Sequence, residues 1–284
     1  MMDDRRFEVP AGWAGTKFLG ESPFGTDLVR SHPDGASVIR FLDGKRATAP
    51  GVWSSPTGKL IRFFPDAVDA LWTPDGKHLV VVTVPGAVRV AVLAWPELAV
   101  KRDSRMPFET GSGVGGLELS ITASGRHGSL WIYSGQSEEG FLLFSLPGLA
   151  TLASLPYVAG ESATPCLFSP DEQYLALVLE PFAYWWAGDG DHADADTPAK
   201  GGPVHWATLY LQEVGEQGRC TEHKIFVDLP RGWVPNEDLQ AASWPRNVRF
   251  KDAQHLVFNP PWGGECRIPV PPTEACFAPP PQKG

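Results

Sequence analysis

One phrase returns along this chain: a small residue, a proline or alanine, a polar turn, then an apolar or alternating strand. It reads SHPDGASVIRF from Ser31, WTPDGKHLVVVT from Trp72 and FSPDEQYLALVLE from Phe168. Looser copies are ITASGRHGSLWIYS from Ile121 and VRFKDAQHLVFN from Val248. Proline presets its own dihedral, and Asp or Gly accepts the tight geometry that ends one strand and begins the next. The turn residues Gly35, Gly76, Gly125 and Glu172 follow one another at intervals of 41, 49 and 47 residues. No window keeps apolar residues at helical spacing for four turns, so long helices are excluded.

A period of roughly 40–50 residues in an all-β chain is the signature of a β-propeller. The second half of each unit is also legible. LVVVT is followed by VRVAVLAWPEL, and SLWIYS by FLLFSLPGLATLASL. Each is a strand, a turn and an apolar return strand, which makes about four strands per unit. The expected fold is therefore an all-β propeller of about five four-stranded blades with one loop insertion. From Glu172 to the next equivalent turn at Ala253 is 81 residues, more than one period. An insertion over about 182–204 accounts for the excess. Six blades result if residues 205–235, with the strands WATLYLQEV and HKIFVDL, form a unit of their own. An irregular sandwich is the competing architecture. Residues 1–270 read as one propeller-like domain, and 271–284 as a Pro-rich, extended or disordered tail. The segment through Phe24 is a candidate for closing the ring against ECRIPVP.

The phrases SPDEQYLALV and TPDGKHLVVV resemble the strand-turn-strand phrase of TolB-type and WD-repeat-like propellers. The resemblance implies a ring of blades around a central channel, used as a binding platform. It implies no catalytic set and transfers no functional residue.

The 30 glycines and 28 prolines suit many turns between short strands. A net charge of −9 argues against nucleic acid as the main partner, since phosphate binding needs a basic face. The small basic group of Arg246, Arg249 and Lys251 reads as a solvated strand edge. MMDDRRFEVP has no apolar stretch after its charges and does not read as a secretory signal. The longest apolar run, Leu79 to Trp95, is broken by Pro85-Gly86 and carries Arg89, so two strands fit it better than a membrane span. A cytoplasmic location is expected. Cys166, Cys220, Cys266 and Cys276 show no zinc or redox spacing and read as reduced thiols.

The insertion is the most individual stretch. Asp189, Asp191, Asp194 and Asp196 place four carboxylates within eight residues, with His192 among them. Calcium chemistry is feasible there, but the spacing departs from the EF-hand loop, and a solvated acidic loop with no cofactor is the simpler reading. Just before it, Phe182, Tyr184, Trp185 and Trp186 are an anchor for the insertion if buried and, if exposed, a hot spot for a protein partner or a stacking platform for a sugar. GSGVGG at 111–116 matches a dinucleotide fingerprint by letter, but a strand rather than a helix follows it. Of the seven histidines, His32, His78, His127 and His255 fall in or near the repeated turns. Trp53, Trp72, Trp131, Trp206 and Trp244 read as blade core, while Trp13, Trp233 and Trp262 read as loop surface. The functional expectation is a non-enzymatic platform that scaffolds or neutralises a protein partner. The alternative is a hydrolase or lyase acting on a sugar or small ester in a central channel.

Overall fold

The computed structural model describes residues 27–34, 37–42, 51–54, 59–64, 67–84, 87–107, 116–133, 138–159, 165–179, 203–228, 246–260, 263–273 and 276–278. Among these, every regular element is a strand, and no helix is long and apolar enough to cross a membrane. The strands form five sheets.

The first sheet runs β1 (Asp27–Ser31), β2 (Ser37–Leu42), β3 (Gly51–Ser54) and β4 (Lys59–Phe63), each antiparallel to the last. The second repeats that meander with β5 (Ala67–Trp72), β6 (His78–Thr83), β7 (Arg89–Ala94) and β8 (Ala99–Arg105). The third has the order β12-β11-β10-β9, built from β9 (Gly116–Ile121), β10 (His127–Tyr133), β11 (Glu138–Ser145) and β12 (Thr151–Ala159). The long apolar run is thus β6 and β7, an antiparallel pair, and a strand does follow GSGVGG.

The fourth sheet contains β13 (Leu167–Phe168), β14 (Tyr174–Leu179), β15 (Pro203–Glu213) and β16 (Cys220–Asp228). WATLYLQEV and HKIFVDL therefore complete this sheet, and residues 180–202 lie in the β14–β15 connection. A further strand, β20 (Cys276–Ala278), joins β16 in parallel, so part of the Pro-rich tail is paired into a sheet. The fifth sheet is β17 (Arg246–Asp252), β18 (His255–Asn259) and β19 (Cys266–Pro269).

Burial explains why the middle strands are continuous apolar runs. β6 and β7 are buried on both faces, whereas the edge strand β8 is largely polar and mostly exposed or half-buried. Its sequence AVKRDSR also blunts an open edge with charge, and Arg89 pairs Asp103 at 3.0 Å across β7 and β8.

The chain divides into two compact units. The first holds Met1–Ser112, Leu117–Ser129 and Phe144–Thr151, with a core of Phe64, Trp72, Leu79, Leu93 and Leu98. The second holds Gly113–Gly116, Leu130–Leu143 and Leu152–Gly284. One cluster there includes Trp206, fully buried and 5.4 Å from Phe258 between ring centroids. A second cluster there gathers Phe141, Leu143, Leu175 and Leu177, with Trp131 packed against it. Trp72, Trp131 and Trp206 thus have the core roles expected of them. The side chain of Trp53, and Trp13, Trp233, Trp244 and Trp262, lie outside the described residues.

Candidate functional site

The recurring phrase forms the turn between the first two strands of a sheet. In the second sheet the Thr73 hydroxyl accepts the His78 N–H at 3.1 Å and donates to Asp75 Oδ1 at 2.7 Å. Asp75 Oδ1 also accepts the Lys77 N–H at 3.0 Å. The fourth sheet repeats this atom for atom. Ser169 accepts the Tyr174 N–H and donates to Asp171, which accepts the Gln173 N–H. In the third sheet Thr122 keeps the hydroxyl role towards His127, and Ser124 stands in for the carboxylate. Short polar side chains that bond their own backbone stabilise such turns. The Thr73 hydroxyl and Lys77 N–H hold the Asp75 carboxyl below its ordinary value. The fifth sheet uses a tighter turn, in which Asp252 accepts the Gln254 N–H and pairs His255 at 2.8 Å. His255 keeps the Asp252 carboxyl low in the same way.

The first sheet departs from the pattern. At the hydroxyl position stands His32, whose Nδ1 lies 3.1 Å from the Asp34 backbone nitrogen and 2.7 Å from Asp34 Oδ1. Its Nε2 lies 2.9 Å from the Gly76 carbonyl. A carbonyl can only accept, so Nε2 carries the proton and donates. The ring is buried and packs edge-on to Trp72 at 4.7 Å and at a tilt to Trp95 at 5.0 Å. The opening turn of the first sheet is thereby latched onto that of the second. The next pair also meet closely, since a Cβ on Gly125 would lie 3.3 Å from Pro74 Cδ. A buried carboxylate ties the same sheets from within: Asp69 on β5 accepts the Leu119 N–H of β9 at 2.7 Å.

The result, within the first unit, is a rim of three turns whose backbone groups are held by local bonds. It exposes Pro33, Asp34, Pro74, Asp75, Lys77 and Arg126. Beside it lies a cavity of about 160 Å³ lined by Asp75, His78, Val92, Arg126, Leu146 and Pro147.

Other expected residues fall as follows. Phe182, Tyr184, Trp185, Trp186, Asp189, Asp191, Asp194 and Asp196 lie outside the described residues, as do His192 and the segment through Phe24. His78, His127 and His255 each begin the second strand of their sheet. Among the described residues, no three His, Cys, Asp or Glu are grouped to hold a metal ion. Arg249 and Lys251 both face Glu265, at 3.1 and 3.7 Å, which offsets their charge. No disulfide joins the four cysteines. Burial, with Cys276 nearby, pushes the Cys266 thiol up to about 12, which suits a core residue rather than a nucleophile.

Nothing in the local sequence marks His32 as a linker, since it reads as one of several turn histidines. Nor does the turn phrase reveal a second recurrence, Trp95-Pro96 and Leu146-Pro147, directly after the third strand. The N–H groups of Trp95 and Leu146 bond to Lys77 and Arg126 of the opening turns, at 2.8 and 2.7 Å. The X-Pro pair at the end of each third strand was the available signal.

Serial meanders of this kind, three of them opened by the same hydroxyl-braced turn, define a β-propeller fold. No family model and no curated protein matches the chain. Among solved structures, it is similar to hydrazine synthase of Kuenenia stuttgartiensis, with 12% identity and a TM-score of 0.51 over 81% of this chain. It spans 60% of that chain's length. It is also similar to the Cps50 (Swd1) β-propeller domain of Myceliophteria thermophila, with 14% identity and a TM-score of 0.45, covering 82% of this chain and 65% of that one. For TolB from Acinetobacter baumannii the values are 15% and 0.38, covering 69% and 42%. At such identities the likeness concerns the fold alone.

Proposed function

We propose that the protein is a non-enzymatic binding platform that engages a protein partner through the rim of opening turns. The supporting observation is the latched rim. Its turns are braced by their own side chains and, at His32, by the neighbouring sheet. A partner would meet a surface already ordered, so little conformational entropy is lost on association. Functional contacts on loops held by a rigid scaffold are the usual arrangement. The exposed charges are of both signs, which favours selectivity and register over bulk attraction. The chain's net charge of −9 would steer a basic partner towards it.

The test is a pull-down from native lysate with three baits: the full chain, an Asp75→Lys/Arg126→Glu rim variant, and a 187–203 deletion. A stoichiometric partner held by the full chain and lost only from the rim variant is the expected result. Loss only from the deletion would move the interface to the insertion. Absence of any partner would overturn the binding reading.

A further inference from the structure

We infer that the cavity beside the rim is a binding site for a free aliphatic α-amino acid. This goes beyond partner binding and does not rest on it.

The cavity's walls come from two opening turns and the end of the third strand of the third sheet. Asp75 of one turn and Arg126 of the other both line it. Among the described residues Asp75 pairs with Lys77, at 3.7 Å, and not with Arg126. Asp75 is held in its ionised form by the Thr73 hydroxyl and the Lys77 N–H, both on Oδ1. Oδ2 makes only the long contact with Lys77 Nζ, at 3.7 Å, and keeps acceptor capacity for an incoming donor. Arg126 uses its Nε on Ser124 at 3.2 Å, which orients the guanidinium and leaves its terminal nitrogens available. The rest of the lining sets apolar Val92, Leu146 and Pro147 beside the polar Thr73, Ser124 and His78.

Opposite charges flanking one cavity are the complement of a zwitterion. An α-ammonium group donates to a carboxylate, and an α-carboxylate accepts from a guanidinium, ideally in the two-pronged geometry arginine favours. A volume of about 160 Å³ is close to the roughly 150 Å³ that accommodates one benzene ring. That is room for a single branched aliphatic side chain against the apolar residues, and too little for a sugar ring with its hydration or for a dinucleotide. Small-ligand sites usually combine such apolar residues with a few placed polar groups.

The site is also pre-formed. Asp75 sits two residues after the bracing hydroxyl of Thr73 and Arg126 four after that of Thr122, and the turn glycines beside them, Gly76 and Gly125, hold φ of 68° and 71°. Neither charged side chain is needed to fill the core, so each can be altered without opening a void.

Isothermal calorimetry and thermal unfolding of the purified full chain test this with leucine, valine and glycine. The same series includes leucine methyl ester, which lacks the carboxylate, and N-acetyl-leucine, which lacks the ammonium. Leucine or valine should bind saturably and raise the melting temperature. The ester and the acetyl derivative should each bind at least about ten-fold more weakly, as expected for losing one charge-assisted contact. Asp75→Asn keeps the turn, since an amide oxygen can still accept from Thr73 and Lys77, and should weaken leucine by a similar factor. Arg126→Gln should do the same. Absence of binding by every amino acid at tens of millimolar overturns the inference, as does equal binding of leucine and its blocked derivatives. A Gly-Leu dipeptide binding more tightly than leucine would overturn it in favour of a chain terminus. Because the readout uses no lysate partner, failure here leaves the protein-binding proposal standing, and failure of the pull-down leaves this one standing.

Discussion

Gly76, in the opening turn of the second sheet, stands at φ 68°, and Glu172, at the same place in the fourth, stands at 59°. The surrounding bonds match: a hydroxyl at the first turn residue, an aspartate two residues on, and a 2.8–2.9 Å bond from the left-handed residue back to the first. A left-handed conformation costs an ordinary L-residue about 1–2 kcal/mol, so the backbone alone does not demand glycine. What differs is the neighbour. A Cβ on Gly76 would lie 2.9 Å from His32 Nε2, the atom that donates to the Gly76 carbonyl. Gly125 is intermediate, with Pro74 at 3.3 Å from the missing Cβ. The comparison separates two reasons for glycine that look identical in a sequence: the dihedral, which other residues tolerate, and close approach, which they do not.

The largest expected effect is at Gly76. Gly76→Ala combines left-handed strain with displacement of His32 and loss of its bond, together about 2–3 kcal/mol by denaturant unfolding. His32→Ala should cost about 2 kcal/mol, through the vacated space beside Trp72 and Trp95 and the lost bond to Gly76. In the His32→Ala background, Gly76→Ala should then cost only the strain, about 1 kcal/mol, and additive losses would contradict the close-approach reading. Thr73→Val and Ser169→Ala each strip a backbone N–H of its acceptor and should cost about 1 kcal/mol. Similar values in the two turns would confirm that the brace itself is shared. Glu172→Gly should stabilise by about 0.5 kcal/mol, the relieved strain slightly exceeding the greater freedom of an unfolded glycine.

A last distinction is visible in acid. The folded Asp75 carboxyl lies below its ordinary value of 3.8, so its contribution is present above that value and is lost as pH falls through the lower folded one. Asp75→Asn should therefore flatten the acid limb of the stability curve below about pH 4, with little change at neutrality. An unchanged acid limb would show that the bonds from Thr73 and Lys77 are not electrostatic in consequence.

Most of the strand architecture was legible because it rests on short-range signals. The turn phrase contains its own bracing atoms within six residues, so Trp72-Thr73-Pro74-Asp75-Gly76 announces a turn whatever surrounds it. The burial of β6 and β7 on both faces is written as unbroken apolar runs, and the polar edge of β8 as KRDSR. The exclusion of long helices follows from the same period-two patterning. The partnership of WATLYLQEV and HKIFVDL with the fourth sheet was less legible, since a strand's sequence does not say which sheet it completes. Residue spacing left five or six units open.

The candidate site was scarcely legible. Asp75 and Arg126 are 51 residues apart and unremarkable in their own turns, and their meeting around one cavity depends on how the second sheet packs against the third. His32 occupies a position filled by Thr or Ser in the second, third and fourth sheets, and only tertiary packing gives it the Gly76 carbonyl to hold. Likewise CFA in the tail reads as an extended scrap, and becomes β20 because the exposed edge of β16 supplies unpaired backbone groups to satisfy it. Sequence by itself determined the turns and strands, because their hydrogen-bonding partners lie a few residues away. The tertiary structure alone decided which turns meet, which glycine is obligatory and where opposite charges face a common space. Those contacts join residues more than forty positions apart, a separation no local pattern records.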